Sequence, residues 1–167
     1  MNDGITKDDI ELKGYTTYEY PDGGFEYTDE DNYVHLIRDG IELTIGLKVK
    51  HAHLFPCGYW SYTDDDFHEH LIKDGIDLTN GLNAETVCAY PNNDWSYHDE
   101  DGWCHLIRDG VDLTKGINAV SAWPYLNNDW GWEDINGNEH LMCCKDDSVR
   151  RKRPIPIPNK SFPDFKC

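Results

Sequence analysis

The sequence predicts an all-β protein made of four tandem copies of one antiparallel β-meander. The first observation is a step of 35 residues, without insertion or deletion, that relates four histidines: His35, His70, His105 and His140. The second is the same step in a set of aromatic residues: Phe25, Trp60, Trp95 and Trp130. The third is that apolar residues alternate between turn-forming dipeptides, with no helical periodicity inside the unit.

The third repeat shows the order of elements most clearly. Turn chemistry is expected at Pro91–Asp94, an acidic connection at Asp99–Gly102 and a tight hairpin at Asp109–Gly110. The turns separate four predicted strands: Thr86–Tyr90, Trp95–His98, Trp103–Arg108 and Val111–Thr114.

Counting through these turns predicts the register of the strands. Arg108 is expected opposite Val111, Leu106 opposite Leu113, and Trp95 near Leu106. One face would then carry Trp95, Tyr97, Leu106, Val111 and Leu113, and the other Ser96, Trp103, His105, Ile107 and Thr114. Because both faces hold apolar groups, each sheet should be packed on two sides, as blades are in a propeller.

The chain ends suggest how such a propeller would close. The predicted organisation is an N-terminal closing strand at 1–14, repeats at about 15–49, 50–84, 85–119 and 120–148, and a tail at 149–167. The last repeat lacks the Asp-Leu-Thr strand, whereas Asp9–Gly14 is similar to the Gly40–Thr44 segment. The N-terminus is therefore predicted to complete the last sheet and close a small four-bladed ring. The alternative is a linear stack with capped ends.

A short motif in the fourth repeat resembles a known repeat family. Asp129-Trp130-Gly131-Trp132-Glu133-Asp134 with Gly137 is similar to the core of the WG repeat of bacterial proteins, and Gly116–Val120 lies where that family has a Gly-Leu-Ala segment and a valine. The resemblance implies β-rich repeats that bind other molecules and carry no catalytic residues. In the other repeats Glu26, Ser61 and Ser96 replace the central glycine.

Composition excludes some classes of partner. The chain of 167 residues has 32 acidic and 15 basic residues and a formal charge of -17, so nucleic acids and anionic membranes would be repelled. The N-terminus lacks the basic and apolar regions of a signal peptide, and no apolar stretch is long enough to span a bilayer. The six cysteines contain no Cys-x-x-Cys pair. These features predict a cytoplasmic protein with free thiols.

No segment carries a recognisable catalytic motif, so we expect a protein that is not an enzyme and needs no cofactor. The repeated histidines are expected to serve the fold by pairing with Ser or Thr hydroxyls, rather than to converge on a metal. The segments His51–His53 with Cys57, and His68–His70, resemble zinc half-sites without a second half. The acidic loops lack the ligand set of a calcium-binding EF-hand. We therefore predict no metal site.

The leading functional hypothesis is an interaction module that binds a protein partner through two surfaces. One is an acidic rim formed by the loops between the second and third strands. The other is the basic, proline-rich tail, through which a homo-oligomer or larger assembly could also form. The residues proposed for binding by these surfaces are Asp64, Asp65, Asp66, Asp99, Glu100, Asp101, Arg150, Arg151, Lys152 and Arg153.

Two alternatives remain open at this point. In a carbohydrate-binding lectin, exposed Trp and Tyr rings would stack on sugars beside the turn residues Asn92, Asn93, Asp94, Asn127, Asn128 and Asp129. In an acidic mimic of nucleic acid, of the kind that viruses use as inhibitors, the carboxylates would bind a nucleic-acid-binding protein. Burial of the tryptophans and dependence of binding on salt would distinguish these alternatives.

Overall fold

A computed structural model describes residues 4–125 and 127–143. The chain divides into two compact units, Met1–Ala84 and Glu85–Cys167. Each unit contains two antiparallel sheets formed by consecutive strands. Apart from one short helix and one 3-10 turn, the regular structure of the described residues is β-strand. The prediction of an all-β chain of repeated antiparallel meanders is therefore confirmed.

The first unit begins with helix α1 (Lys7–Leu12) and continues with two sheets of four strands each. The strands of the first sheet are β1 (Thr17–Glu19), β2 (Phe25–Thr28), β3 (Val34–Arg38) and β4 (Ile41–Glu42). Those of the second sheet are β5 (His51–Leu54), β6 (Tyr59–Thr63), β7 (Glu69–Lys73) and β8 (Ile76–Asp77). A 3-10 turn at Pro56–Gly58 joins β5 to β6.

The second unit contains a four-stranded sheet and, within the described residues, a three-stranded one. The third sheet comprises β9 (Thr86–Ala89), β10 (Trp95–His98), β11 (Cys104–Arg108) and β12 (Val111–Asp112). The fourth comprises β13 (Ser121–Pro124), β14 (Trp130–Glu133) and β15 (Glu139–Met142). The order of strands in the third sheet and their approximate bounds agree with the sequence prediction.

The predicted register is correct at the hairpin but wrong by one residue at the acidic connection. Arg108 pairs with Val111 as expected, whereas Trp95 pairs with Ile107 and Ser96 with Leu106. The connection has five residues instead of four, because the Asp99 carboxylate accepts hydrogen bonds from the backbone of Asp101 and Trp103 and holds Trp103 inside the turn. Paired residues share a face of a sheet, so the predicted division into two faces is also wrong.

The corrected register places Trp95 and Tyr97 on the same face as His105 and Ile107. Ser96 and Leu106 lie on the opposite face. The same relation holds in the first and second sheets, where Tyr27 pairs with His35 and Tyr62 with His70. An aromatic ring and a histidine therefore occupy neighbouring strands on one face in each repeat.

Lys7–Leu12 form helix α1, so the prediction that the Asp9–Gly14 segment of residues 1–14 forms a closing strand is wrong. Thr6 caps α1 because its hydroxyl accepts a hydrogen bond from the Asp9 backbone while the Asp9 carboxylate accepts one from the Thr6 backbone. This reciprocal capping box favours a helix start. Ile10 is buried against Phe25 and Ile37, so the helix covers the aromatic face of the first sheet.

Neighbouring sheets within each unit share an apolar core. In the first unit Leu36 and Leu54 pack with Trp60 and Ile72, and in the second unit Cys88, Tyr90, Cys104 and Leu106 pack with Ala122 and Trp130. A tyrosine hydroxyl adds a polar link at each of these two cores. Tyr20 donates to the Ala52 carbonyl at 3.2 Å, and Tyr90 donates to the Ala122 carbonyl at 3.3 Å. Burial raises the pKa of Tyr90 to about 12, so this donor keeps its proton.

Phe67 stands out among the loop residues because it combines exposure with a backbone conformation that favours glycine or asparagine. Its φ is 66° and the residue is 75% exposed. The equivalent residues Asn32, Gly102 and Gly137 also have positive φ. A side chain with a bulky β-carbon substituent is strained in this region, and the small or amide-bearing residues are not.

We expect Phe67→Asn to stabilise the protein by about 1 kcal/mol, because asparagine tolerates this left-handed conformation and little buried area is lost. The reverse substitution in the first repeat, Asn32→Phe, should destabilise it by a similar amount. Thermal and urea unfolding of the full chain would measure both effects. An equal stability of the wild type and Phe67→Asn would show that Phe67 makes compensating contacts.

Candidate functional site

The connections between the second and third strands of each sheet are built around their first acidic residue. The Asp29 carboxylate accepts hydrogen bonds from the backbone N–H groups of Asp31 and Tyr33, each at 2.9 Å. The equivalent acids do the same at distances of 2.9 to 3.0 Å, and these are Asp64, Asp99 and Asp134. The loop therefore closes on a side chain, which satisfies backbone donors that the sheet leaves without partners.

The same carboxylates hold one side of the repeated histidines. Asp29 lies 3.0 Å from Nε2 of His35, while Glu42 on β4 lies 2.7 Å from its Nδ1. We call this arrangement, one imidazole between two carboxylates, the histidine clamp. His70 is held by Asp64 at 3.1 Å and Asp77 at 2.8 Å.

The third clamp has the same geometry. His105 is held by Asp99 at 3.0 Å and Asp112 at 2.9 Å. The predicted pairing of the repeated histidines with Ser or Thr hydroxyls is therefore wrong.

Geometry assigns a positive charge to the clamped imidazoles. A neutral histidine has one donor nitrogen and one acceptor nitrogen, so it can donate to only one of two carboxylates. An imidazolium donates to both. The ring also stacks on an aromatic ring of the adjacent strand, with centroids 4.6 Å apart for Tyr62 and His70 and for Tyr97 and His105. The cation is thus held on three sides.

The pKa shifts agree with this geometry. Partial burial alone would lower the pKa of His35, His70 and His105, but the hydrogen bonds and charges of the two carboxylates outweigh it and raise the pKa. Hydrogen bonding to His35 lowers the pKa of Asp29. Burial would raise the pKa of Asp64 and Asp99, and hydrogen bonds from the histidine and the loop backbone bring it below its ordinary value.

The second carboxylate of each clamp was not predicted from the sequence, although the repeat spacing contains a signal for it. Glu42, Asp77 and Asp112 keep the 35-residue step and lie seven residues after each histidine. A two-residue hairpin turn places a residue at this distance close to the histidine across the strand pair. An acid at all three of these positions indicates that each histidine has a second carboxylate as its partner.

The predicted acidic rim divides into two kinds of residue. Asp64 and Asp99 are partly buried and belong to the clamps, so they close loops and hold histidines. The next two acids of each loop are exposed in three repeats, and these are Glu30, Asp31, Asp65, Asp66, Glu100 and Asp101. Asp65 also lies 3.3 Å from the Lys50 ammonium. In the fourth repeat this pair is replaced by the uncharged residues Ile135 and Asn136.

Most of the turn residues proposed for sugar binding form hydrogen bonds within the protein. Asn92 donates from its side chain to Asp94 at 2.9 Å, and Asp94 is buried and forms a double hydrogen bond with Arg108. Asn127 and Asp129 repeat the first of these contacts at 2.8 Å. Asn93 and Asn128 are exposed at positive φ, and the Asn128 carbonyl accepts a hydrogen bond from Arg108.

The tryptophans of the lectin alternative are not arranged as exposed platforms. Trp60 and Trp130 are buried, with 8% and 5% of their surface accessible, and Trp95 is half-buried. Stacking on a sugar requires an open ring face. Trp60 and Trp130 therefore cannot serve as the repeated sugar platforms that this alternative needs.

Metal ligands do not converge in the part of the chain that the structure describes. Among residues 4–125 and 127–143, no group of three or more His, Cys, Asp or Glu side chains has the arrangement of a metal site. His51, His53 and Cys57 are exposed, and His70 of the other proposed half-site belongs to a clamp.

The prediction of free thiols is wrong at Cys88, which is disulfide-bonded. Among the described residues, Cys104 and Cys143 are free thiols. Burial raises the pKa of the Cys104 thiol to about 12.

The cytoplasmic location, which was inferred from free thiols, remains a prediction. No helix of the described residues is long and apolar enough to cross a membrane. The tail residues Arg150, Arg151, Lys152 and Arg153 lie outside the described residues.

Comparison with known proteins gives no family assignment. No protein-family model matches the chain, and no curated protein matches it. The crystal structure of the WD40 beta propeller domain of Doa1 has 15% sequence identity and a TM-score of 0.38, over 80% of this chain and 51% of that chain. The crystal structure of selenomethionine-substituted virginiamycin B lyase from Staphylococcus aureus has 16% sequence identity and a TM-score of 0.37. The match covers 76% of this chain and 54% of that chain.

This chain thus spans about half the length of the solved structures it resembles. At this level of similarity we carry neither activity nor assembly over from them. The WG-repeat resemblance also remains a prediction, and the glycine that suggested it has a local role. A β-carbon at Gly131 would lie 3.0 Å from the Trp123 indole, so glycine makes room for that ring on the paired strand.

The clamps make the stability of the protein depend on pH. A histidine pKa that is raised in the folded state contributes stability that is fully present below about 6.5 and is lost as pH rises through the folded pKa. The lowered pKa of Asp29, Asp64 and Asp99 contributes stability that is lost as pH falls through the folded pKa of these acids. We expect the unfolding free energy to decline as pH rises above about 6.5, because the folded histidines then begin to lose the protons that the carboxylates hold.

Two measurements check this expectation. Urea unfolding across the pH range gives the stability curve, and ¹⁵N NMR of the imidazoles should show both ring nitrogens protonated at pH 7 for His35, His70 and His105. Asp112→Asn should move the His105 titration to lower pH, whereas the exposed Asp109→Asn should leave it unchanged. A single protonated nitrogen on each ring at pH 7 would contradict the assignment.

Proposed function

We propose that the protein is an interaction module that binds a cationic protein surface through its exposed acidic loops and does not catalyse a reaction. The proposal rests on the different roles of the acids within each loop. The first acid closes the turn and holds the clamp, while the next two are exposed in three of the four repeats. The acidic rim consists of these six exposed residues: Glu30, Asp31, Asp65, Asp66, Glu100 and Asp101.

Electrostatics explains what such a rim can do. The chain has a formal charge of -17, so a cationic partner is attracted over several ångströms before contact, and the exposed carboxylates determine where it lands. The loops are held by hydrogen bonds from their own backbone, so little ordering is needed when a partner binds. Support also comes from the burial of Trp60 and Trp130, which weakens the lectin alternative.

The basic, proline-rich tail is the second contact in this proposal. Arg150–Arg153 have the charge to reach an acidic region of a partner or of another copy of the chain. An assembly that depends on these residues should dissociate when all four are replaced by glutamine, as measured by light scattering of the full-length chain.

The rim is best tested with two triple variants of equal charge. Asp31, Asp66 and Asp101 are exposed rim residues, and Asp39, Asp74 and Asp109 are exposed residues at the hairpin turns. Replacing either set by asparagine raises the net charge by three. Asparagine is well suited to the positive φ of the hairpin turns, so the control set should fold normally.

We expect the rim variant to bind a fluorescently labelled decalysine peptide about tenfold more weakly than the wild type at low salt, since each exposed ion pair contributes about 0.5 kcal/mol. The hairpin variant should lose less than threefold. Fluorescence anisotropy at 50 and 300 mM NaCl measures both, and wild-type binding should weaken with salt. Equal losses in the two variants would mean that only net charge matters and that the rim is not the binding surface.

The nucleic-acid-mimic alternative uses the same carboxylates but makes a further demand. A partner that recognises the rim as a nucleic acid would release it when duplex DNA is added. Competition by DNA for a nucleic-acid-binding protein held by the rim would therefore support the mimic, and indifference to DNA would count against it.

A further inference from the structure

In the part of the chain that the structure describes, the fourth sheet differs from the other three at its outer edge. In the first three sheets a short fourth strand pairs with the third strand, as β4 does with β3, β8 with β7 and β12 with β11. Within the described residues no strand pairs with the outer edge of β15. The three complete sheets show which residues pair with the outer edge of the third strand.

Each fourth strand and the two residues after it carry the same four-residue pattern, an apolar residue followed by an acid, leucine and threonine. In the first sheet the Leu43 backbone donates to the Leu36 carbonyl at 2.8 Å. The buried Thr44 hydroxyl accepts from the Leu36 backbone at 3.1 Å. The acid of the pattern holds Nδ1 of the histidine clamp, and the leucine packs on the apolar core.

The second and third sheets repeat these contacts. Thr79 and Thr114 accept from the backbone of Leu71 and Leu106 at 3.2 and 3.3 Å. Their hydroxyls also lie 2.9 and 2.7 Å from the carboxylates of Asp77 and Asp112. The four-residue pattern is therefore a recognition sequence for the outer edge of the third strand.

Among the described residues, the groups of β15 that would make these contacts are not engaged. Leu141 is 50% exposed, whereas the equivalent Leu36, Leu71 and Leu106 are fully buried. Met142 is 43% exposed. His140 keeps the contact of Nε2 with Asp134 at 3.2 Å, but its Nδ1 has no hydrogen-bond partner among the described residues.

From this difference we propose that the outer edge of β15 binds an extended peptide segment of a partner protein with the pattern apolar, acidic, leucine, threonine. Its acid would hold Nδ1 of His140, its leucine backbone would donate to the Leu141 carbonyl, and its threonine hydroxyl would accept from the Leu141 backbone. Main-chain pairing of this kind provides affinity, and the side chains provide selectivity. The proposal is independent of the acidic rim, because it uses a different surface and a different ligand.

The test uses the full-length chain and a labelled heptapeptide with the sequence of residues 110–116, which contains the pattern in Val111–Thr114. We expect saturable binding in fluorescence anisotropy. Replacing the aspartate of the peptide by asparagine should weaken binding at least about tenfold, because a charged hydrogen bond is lost, and replacing the threonine by valine about fivefold. These changes leave the folding of the protein unaffected.

A pair of protein variants locates the peptide. Leu141→Lys changes an exposed residue of β15, and Ile135→Lys changes a residue that is 74% exposed in the loop before it. Leu141→Lys should weaken binding at least about tenfold, and Ile135→Lys less than twofold. The proposal is overturned if the full-length chain does not bind the peptide, which includes the case in which its own residues fill the edge. Equal affinity for the aspartate and asparagine peptides, or equal effects of the two protein variants, would also overturn it.

Discussion

The histidine clamp is the interaction on which each complete repeat depends. Around His35 it joins the loop after β2, through Asp29, to β4, through Glu42, while the ring stacks on Tyr27 of β2. Three successive strands and one loop thus meet at a single cation. Without the imidazolium between them, two carboxylates so close to one ring would repel each other. The three side chains of the clamp therefore stabilise the fold only when all three are in place.

The clamp also explains why the repeat keeps such a strict period. A change in loop length would move the first acid away from Nε2, and a change in the hairpin would move the second acid away from Nδ1. The same carboxylates accept hydrogen bonds from the loop backbone, so backbone geometry and charge are satisfied together. The acids at the loop tips are outside these constraints, and in the fourth repeat Ile135 and Asn136 replace them without altering the turn. The positions at the loop tips can therefore vary between repeats without loss of the fold, so they are free to be selected for binding.

The sequence predicted the repeat, the order of the strands and the hairpin register correctly, because each depends on local turn chemistry and on a visible period. It failed at the acidic connection, where the Asp99 carboxylate holds one more residue in the turn than the strand pattern suggests. It also failed at the N-terminus, since similarity of Asp9–Gly14 to a strand concealed the capping box of Thr6 and Asp9. In both places a side chain that bonds to the backbone decided the outcome, and alternation of apolar residues does not report such bonds.

In the fourth repeat, no fourth strand pairs with β15 among the described residues. Its loop, its aromatic stack and one half of its clamp are intact, since Asp134 holds His140 and Trp132 stacks on that ring with centroids 4.0 Å apart. What differs is confined to the side that a fourth strand covers in the other sheets, where Leu141 and Nδ1 of His140 are not engaged. The contacts of the loop acid and of the aromatic ring lie within the three strands that the structure describes, and neither contact involves a fourth strand. The side on which a fourth strand lies in the other sheets is the side to which we propose that a peptide binds, with a geometry that three copies in the same chain define.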